Sequence, residues 1–166
     1  MSYELIEVEN NEGICTITIN RPDVFIALNR QSKLEMIEAI ERASLDEQTR
    51  ALVITAKGKA FCSGQDLNDR ANSSEKKDLG ETLKTEWNPL VNSNRNCPKV
   101  LIAALNGVTA GAGISVAMAC DLVIAPKGIR FVSGFTKLGL VPDAGSTSTF
   151  THALGPKRAM EFFLFN

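Results

Sequence analysis

The sequence has few of the residues that metal, redox and disulfide sites require. It contains one histidine in total, and no two of its cysteines form a C-x-x-C pair. A structural zinc site needs clustered thiols or imidazoles, and a disulfide framework needs paired cysteines. These absences predict no metal site and four reduced thiols. The four cysteines are widely spaced, at Cys15, Cys62, Cys97 and Cys120.

A block of one charge and a long apolar run are also missing. The net charge is −1 over 166 residues, which argues against a nucleic-acid or anionic-membrane partner. No run approaches the length of a membrane span, and the acidic start MSYELIEVEN has no apolar signal-peptide core. Since 44% of the residues are hydrophobic, we expect one soluble, cytoplasmic domain over residues 1–166.

The common nucleotide and nucleophile motifs are not found. Gly111-Ala112-Gly113 is followed by Val116, so G-x-G-x-x-G fails, and no Walker A pattern occurs. Residues 74–77 match S-x-x-K, but in so polar a segment the match is attributed to chance. The only histidine, His152, lies in a helical pattern and is assigned a structural role, which argues against a Ser-His-Asp triad.

Strand and helix patterns alternate along the chain. Residues 3–9 and 13–20 are strand-like and flank a predicted hairpin turn at 11–13. Asn29 is a predicted N-cap for a helix to Ala43, with an apolar face of Leu34, Ile37 and Ile40. The remaining predicted elements are a buried parallel strand at 50–56, a loop at 71–80, a helix at 81–95, strands at 100–105 and 121–125, a helix starting near Ala144, and a last helix at 157–166. This order predicts an α/β fold with crossover connections and shows no sequence repeat.

Residues 106–125 are predicted to form a small-residue turn, an apolar helix and a buried strand. Glycines at 107, 111 and 113 leave the backbone open to close approach. The first N–H groups of a helix have no intrahelical acceptor and lie at the positive end of its dipole. The segment is therefore either a core helix that packs closely or an oxyanion site. Taken alone, it favours the core helix.

A second candidate segment is residues 61–67, FCSGQDL, which follows a strand. A bend at Gly64 would present the N–H of Gln65 to a ligand. The alternative is an ordinary connection from strand to helix.

Asp143 is the third candidate, and the residues around it support two interpretations equally. It follows Pro142 and precedes small residues, as a helix N-cap does. It also lies among Leu138, Leu140 and Val141. Apolar surroundings of this kind raise a carboxyl pKa and suit a general base.

Four segments, in this order, resemble the crotonase superfamily, also called the enoyl-CoA hydratase/isomerase family. They are INRP at 19–22, FCSGQDL at 61–67, residues 106–121, and LGLVPD at 138–143. The resemblance covers essentially the whole chain. Residues 61–70 and 137–143 are most similar to the branch of the family that isomerises ring-1,2-epoxyphenylacetyl-CoA in phenylacetate breakdown.

The resemblance implies a spiral of ββα units that form two roughly perpendicular sheets, in trimers or hexamers. It also implies a C-terminal helical region that is absent after residue 166, and the uncovered apolar end at 162–165 leads to the same expectation of a longer chain. Members bind an acyl-CoA as substrate and need no metal or redox cofactor. The implied oxyanion hole consists of the backbone N–H groups of Gln65 and Ala112. Positions that line the substrate and CoA site in relatives are held by Val24, Ser63, Asp66, Leu67, Asn68 and Gly111.

The acidic residues indicate the type of reaction. Hydratases of this family use two glutamates, and the matching positions hold Ser115 and Phe135. Asp143 matches the essential aspartate of the epoxyphenylacetyl-CoA isomerases and of some dienoyl-CoA isomerases and dehalogenases. One carboxylate suits a proton shuttle, so the sequence predicts an acyl-CoA isomerase with Asp143 as the catalytic group, converting a ring epoxide into an oxepin.

Two alternatives stay open: a general enoyl-CoA isomerase or weak hydratase, and a CoA-thioester binding module without catalysis. Two departures from the family pattern are expected to affect CoA fit or helix entry. Ile26 replaces a common asparagine, and residues 145–147, Gly-Ser-Thr, replace a more usual glycine pair.

Overall fold

The computed structural model describes residues 3–71 and 78–165, with the side chains of residues 70 and 71 left out. Its strands are β1 Ile6–Asn11, β2 Ile14–Ile19, β3 Ala27–Leu28, β4 Ala51–Ala56, β5 Ala60–Cys62, β6 Gly64–Gln65, β7 Val100–Ala104, β8 Val108–Ala110, β9 Leu122–Ile124 and β10 Phe131–Val132. Its α-helices are α1 Arg30–Leu45, α2 Leu67–Ala71, α3 Leu79–Thr82, α4 Asn88–Arg95, α5 Ala112–Met118, α6 Ser146–Leu154 and α7 Pro156–Phe165.

The largest sheet has five strands in the order β1-β2-β4-β7-β9. The predicted hairpin joins β1 to β2, and its two turn residues, Glu12 and Gly13, have φ values of 50° and 82°. Positive φ at both positions matches the twist that a two-residue hairpin needs. The other neighbouring pairs are parallel, so the prediction that β4 is a parallel strand is confirmed.

The remaining strands form two small sheets. One contains β10, β8 and β5 in that order, and the other contains β3 and β6. The chain therefore repeats a unit in which a strand of the large sheet is followed by a strand of a small sheet and then by a helix. This is the ββα repetition that the resemblance implies, although no repeat is visible in the amino-acid sequence.

Asn106 and Gly107 connect β7 to β8 and hold β5 in place. The Asn106 side-chain N–H₂ donates to the carbonyls of Gly58 and Ala60, both at 3.0 Å. A Cβ on Gly107 would lie 2.1 Å from the carbonyl oxygen of Lys59, so only glycine allows this backbone approach. The Asn-Gly pair therefore has a structural role, because it positions β5 next to β8 in the three-stranded sheet.

Helix α1 begins as predicted, but its buried face differs from the prediction. The Asn29 side-chain oxygen accepts the Ser32 N–H at 2.9 Å, which confirms the N-cap. Leu34 is 44% exposed, whereas Lys33 is 0% exposed. The prediction placed Leu34 on the buried face because it is apolar. The helix buries the preceding position instead, and a lysine occupies that position. The buried side of α1 consists of Ser32, Lys33, Met36, Ala39, Ile40 and Ala43.

The predicted helix at 81–95 is present, with an irregularity inside it. It runs from α3 through a π-helical turn at Leu83–Trp87 into α4. Asp78 caps α3 by accepting the Gly80 N–H at 3.0 Å, so the predicted loop at 71–80 ends earlier than expected. The S-x-x-K match at 74–77 lies outside the described residues.

Residues 106–125 differ from their prediction in two respects. The predicted turn contains the strand β8, and the predicted buried strand, β9, has all three residues exposed at the edge of the large sheet. An apolar run does not distinguish a central strand from an edge strand, which explains the second error. Helix α5 is buried through Ala117, as predicted for a core helix.

The end of the chain forms a small aromatic cluster of its own. The rings of Phe150 and Phe162 stack at 4.9 Å between centroids, and Phe163 packs beside them. Leu164 and Phe165 stay 52% and 81% exposed. Among the residues the structure describes, no helix is long and apolar enough to cross a bilayer.

Candidate active site

A cavity of about 210 Å³ lies where strands β6 and β8, the start of α5 and the helix at 79–95 meet. Its walls are largely apolar, as in most small-molecule sites. Six of the nine predicted site residues line it: Ser63, Gln65, Leu67, Gly111, Ala112 and Asp143. The other lining residues are Gly64, Asp69, Leu79, Thr82, Leu83, Glu86, Trp87, Ala110, Ser133, Gly134, Phe135, Leu138 and Leu140.

Two glycines bring the backbones of β6 and α5 together at one wall of this cavity. Gly64 and Gly111 have φ values of +97° and +51°, in the region that glycine adopts without strain. A Cβ on Gly64 would lie 3.5 Å from the backbone nitrogen of Ala112. The predicted donors at 65 and 112 therefore stand on adjacent segments.

The local geometry of the two segments indicates where the backbone N–H groups of Gln65 and Ala112 point. The Asp66 N–H donates to the Leu28 carbonyl at 3.0 Å. Because successive amides of a strand point to opposite edges, the Gln65 N–H points away from β3. Ala112 is the first residue of α5, where an N–H has no intrahelical acceptor.

Asp143 brings a carboxyl group to the same cavity. Its Oδ1 is buried and has no hydrogen-bond partner. Burial raises the pKa of Asp143, and a hydrogen bond from its own backbone N–H only partly opposes this effect. The N-cap interpretation is wrong, because the cap of α6 is Gly145, with no side-chain cap. Leu138 and Leu140 line the cavity as expected, whereas Val141 is 78% exposed.

The main chain of Asp143 is held by two serines. Its carbonyl accepts the hydroxyls of Ser115 at 3.1 Å and Ser146 at 2.9 Å. It also accepts the Ser146 N–H at 3.0 Å. Ser146 belongs to the Gly-Ser-Thr departure from the family pattern, so this departure supplies a bond to the backbone of Asp143.

The other three predicted site residues do not line the cavity. Val24 ends a 3₁₀ turn that starts at Pro22. Asp66 is buried and forms an ion pair with Arg21 at 2.8 Å. It also accepts the Asn68 N–H at 3.0 Å. Burial alone would raise the pKa of Asp66, but these hydrogen bonds hold it below its usual value. The ion pair joins the turn that carries Val24 to the segment of Asp66 and Asn68, and contact of these three residues with CoA stays a prediction.

Ile26 has an unusual backbone in the same turn. It is fully buried and has φ of 58°, a strained conformation for a β-branched residue. Asparagine tolerates this conformation better, which is a physical reason for the asparagine that relatives commonly carry there.

Sequence reasoning missed a charged cluster at the cavity wall. Lys33 is buried, with its Nζ 2.5 Å from Glu86 Oε2 and 2.9 Å from Gln65 Oε1. Its ammonium also lies 4.5 Å from the centroid of the Trp87 ring. The sequence carries one signal for this cluster, a lysine at a position that α1 buries. The cluster is hard to predict because its members come from three segments that are distant in the sequence.

Thiol and metal chemistry find no support among the described residues. No group of three His, Cys, Asp or Glu side chains in that part of the chain could hold a metal ion. Burial raises the pKa of Cys62, next to the cavity, to about 12. A thiol with that pKa stays protonated and is a poor nucleophile.

Comparisons with known proteins find relatives over nearly the whole chain. The sequence model of the family "Enoyl-CoA hydratase/isomerase" matches residues 9–166. The chain is 44% identical over 165 residues to the "Probable enoyl-CoA hydratase" of Rhodobacter capsulatus, covering 99% of this chain and 63% of that protein. It is 40% identical over 162 residues to the 1,2-epoxyphenylacetyl-CoA isomerase of Escherichia coli, covering 96% of this chain and 61% of that protein.

A solved structure shows the same fold. The crystal structure of an enoyl-CoA hydratase from Mycobacterium avium subsp. paratuberculosis superposes with a TM-score of 0.85 at 32% identity, over 96% of this chain and 62% of that one. The chain spans about three fifths of the length of these relatives. The crotonase-like α/β fold implied by the sequence is confirmed. Since the family match covers nearly every residue, and the fold agrees, the chain belongs to the enoyl-CoA hydratase/isomerase family of the crotonase superfamily.

Proposed function

We propose that this protein is an acyl-CoA isomerase that works through a thioester enolate, with Asp143 as its acid and base. The observation that carries the proposal is the buried, unpartnered Oδ1 of Asp143 in the cavity that Gln65 and Ala112 also line. A carboxylate that has one unpartnered oxygen and lies in apolar surroundings is a stronger base than one in water.

The proposed chemistry begins with proton removal. The Asp143 carboxylate takes a proton from the carbon next to the thioester carbonyl, and the C–H electron pair forms the C=C bond of an enolate. The backbone N–H groups of Gln65 and Ala112 donate to the enolate oxygen. Donors fixed before the charge develops stabilise it by about 3–4 kcal/mol each. Asp143 then returns the proton at another carbon, so no atom is gained or lost.

For the substrate, we propose a ring-epoxide thioester of the 1,2-epoxyphenylacetyl type. The carbon–carbon bond shared by the epoxide and the six-membered ring breaks, its electron pair joins the shifting diene π bonds, and the two rings become one seven-membered oxepin with the same atoms. The 40% identical relative bears that activity in its name. The cavity of about 210 Å³ is of the size that holds a single aromatic ring, for which ~150 Å³ is enough. Leu67, Leu138 and Leu140 give it apolar walls.

Hydration of a 2-enoyl thioester is the second candidate, and the name of the 44% identical relative favours it. In hydratases of the family, two glutamates activate and add water. Here the matching side chains are the hydroxyl of Ser115, which is bonded to the Asp143 carbonyl, and the phenyl ring of Phe135. Neither of these groups can ionise to serve as a base, so we rank isomerisation above hydration.

The test compares three reactions side by side: isomerisation of the ring-epoxide thioester, isomerisation of a 3-enoyl-CoA, and hydration of a 2-enoyl-CoA. Asp143→Asn should lower the preferred isomerisation by about 10²–10⁴-fold while CoA-thioester binding persists. Asp121→Asn is the matched control, because the Asp121 carboxylate accepts the Leu101 N–H outside the cavity.

Each other result selects a different function. Hydration as the fastest reaction would replace the isomerase proposal with the hydratase. Thioester binding without any of the three reactions, and without solvent proton exchange, would make the protein a binding module.

A further inference from the structure

Lys33 is a buried cation at the back of the cavity wall. It lies on α1 and is 0% exposed. A buried ammonium group is tolerated only when its donors have strong partners. The atoms around Lys33 therefore indicate what this residue does.

Those partners meet at the side chain of Gln65. The Gln65 Oε1 accepts from Lys33 Nζ at 2.9 Å and from Trp87 Nε1 at 2.9 Å. The Gln65 Nε2 donates to the Asp66 carbonyl at 3.2 Å. The oxygen and the nitrogen of the Gln65 amide group are thus both held, so the orientation of that group is fixed.

Glu86 fixes the lysine in turn. Its Oε2 lies 2.5 Å from Lys33 Nζ, and its Oε1 lies 3.8 Å from Arg30 Nε. Glu86 and Trp87 are consecutive residues of the π-helical turn at Leu83–Trp87, and both are buried. Such turns recur at functional sites. Here the turn brings two successive side chains onto the same lysine.

We propose that Lys33, Glu86 and Trp87 are positioning residues that clamp the Gln65 side chain and so fix the direction of its backbone N–H. This inference rests on the proposed role of that N–H as an oxyanion donor. β6 is only two residues long and starts at Gly64, with φ of +97°. So short a ladder beside a permissive glycine leaves the peptide plane weakly held, and the side-chain clamp supplies the missing restraint.

The ion pair with Lys33 also argues against a role for Glu86 as a base. Glu86 lines the same cavity as Asp143, but its carboxylate is engaged by Lys33. It is therefore a counter-ion rather than a second general base.

The deciding measurement is the infrared stretching frequency of the thioester carbonyl of bound butyryl-CoA, isotopically labelled at that carbon. Hydrogen bonds from the oxyanion donors lower this frequency in the unchanged protein. Gln65→Met keeps the backbone N–H and removes the clamped amide, so it should lose a large part of the shift. It should also lower kcat roughly ten- to hundredfold, the cost of a misplaced catalytic group, with little change in KM.

Two further variants keep the test decisive if Gln65→Met folds poorly. Trp87→Phe removes only the Nε1 donor and leaves a ring beside Lys33, so it should give a smaller loss of the same kind. Gln31→Met is the matched control, because the Gln31 side chain donates to Glu4 and Glu35 on the exposed side of α1.

The possible outcomes separate the two proposals. An unchanged carbonyl frequency in Gln65→Met and Trp87→Phe would overturn the clamp and leave the proposed function standing. The absence of any shift in the unchanged protein would overturn the oxyanion hole itself. Glu86→Gln should reduce proton exchange far less than Asp143→Asn, and an equal loss would make Glu86 a base and refute its role as a counter-ion.

Discussion

The hydroxyl of Ser115 donates a hydrogen bond of 3.1 Å to the backbone carbonyl of Asp143. A buried residue of the core helix is thereby tied to the backbone of the proposed base on a different element. Ser115 is 1% exposed, so it acts on the Asp143 backbone and has no route to the substrate. The same contact gives a structural role to the position that the family resemblance matches to a hydratase glutamate.

Ser115→Ala should have a mild effect, because Ser146 still donates two hydrogen bonds to the same carbonyl. We expect a loss of about 1 kcal/mol in the free energy of unfolding, the usual net value of one hydrogen bond, and a small fall in kcat. Denaturant titration and initial rates provide the measurements. Ser93→Ala is the control, since Ser93 makes the same kind of bond to the Leu90 carbonyl within α4. Equal effects of the two variants on kcat would show that the Ser115 bond has no bearing on the base.

Asp143→Asn should make the folded protein more stable at neutral pH. The pKa of Asp143 is raised by burial, so over a window of pH the unfolded chain has released a proton that the folded chain still holds. The free energy of unfolding therefore falls as the pH rises from the unfolded pKa, about 3.9, through the folded pKa. Asparagine does not titrate and does not show this fall.

Urea titration over a range of pH measures the difference. Near neutral pH the variant should be more stable by about 1 kcal/mol, the lower range for an unsatisfied buried group. The gain should disappear as the pH drops below the unfolded pKa. A variant that is less stable at pH 7 would show that the ionised carboxylate has a stabilising partner.

The Lys33–Glu86 pair should show strong coupling in a double-mutant cycle. Lys33→Met leaves a buried carboxylate without its partner, and Glu86→Leu leaves a buried ammonium. Each change should cost about 3–5 kcal/mol. The double variant should lose clearly less than the sum of the two.

The exposed pair of Glu38 and Arg42, 3.5 Å apart on the same helix, is the matched control. Its coupling energy should be about 0.3–0.5 kcal/mol. Coupling of that small size for Lys33 and Glu86 would mean that water reaches the pair.

Gly113→Ala should destabilise the fold by steric overlap. Its Cβ would lie 2.7 Å from the carbonyl oxygen and the Sγ of Cys62, and overpacking of this kind costs about 1–3 kcal/mol. Gly80→Ala is the contrast. The atoms nearest to its Cβ would be those of the Asp78 carboxylate, at 3.7 Å, which is an ordinary van der Waals contact, so we expect no loss and at most a gain of about 1 kcal/mol. Thermal unfolding of the two variants tests this, and equal melting temperatures would contradict the close packing of α5 on β5.

The sequence predicted features that depend on local chemistry. Glu12-Gly13 turns the hairpin because both residues adopt positive φ, and Asn29 caps α1 because its side chain reaches an amide three residues later. Family motifs led to Gln65, Ala112 and Asp143, and these three residues line one cavity. Their chemical roles stay predictions.

The features missed from the sequence depend on contacts between distant segments. The predicted apolar face of α1 does not include Lys33, because a lysine is rarely buried without an ion pair, and its partner lies 53 residues further on. Asp143 fits an N-cap pattern, yet the backbone at Ala144 and Gly145 has positive φ and moves the helix start to Ser146. The exposed faces of β9 were unpredictable for the same reason, since edge position is a property of the whole sheet.

The π-helical turn at Leu83–Trp87 has a consequence for how this pocket can diverge. A π turn is an α-helix that has accepted one additional residue. Deleting a single residue there would restore regular pitch while the helices on either side keep their orientation, and it would change which side chains of the turn face Lys33. In this part of the protein, the loss of one codon would therefore change which side chains form the cavity wall without moving the elements around it.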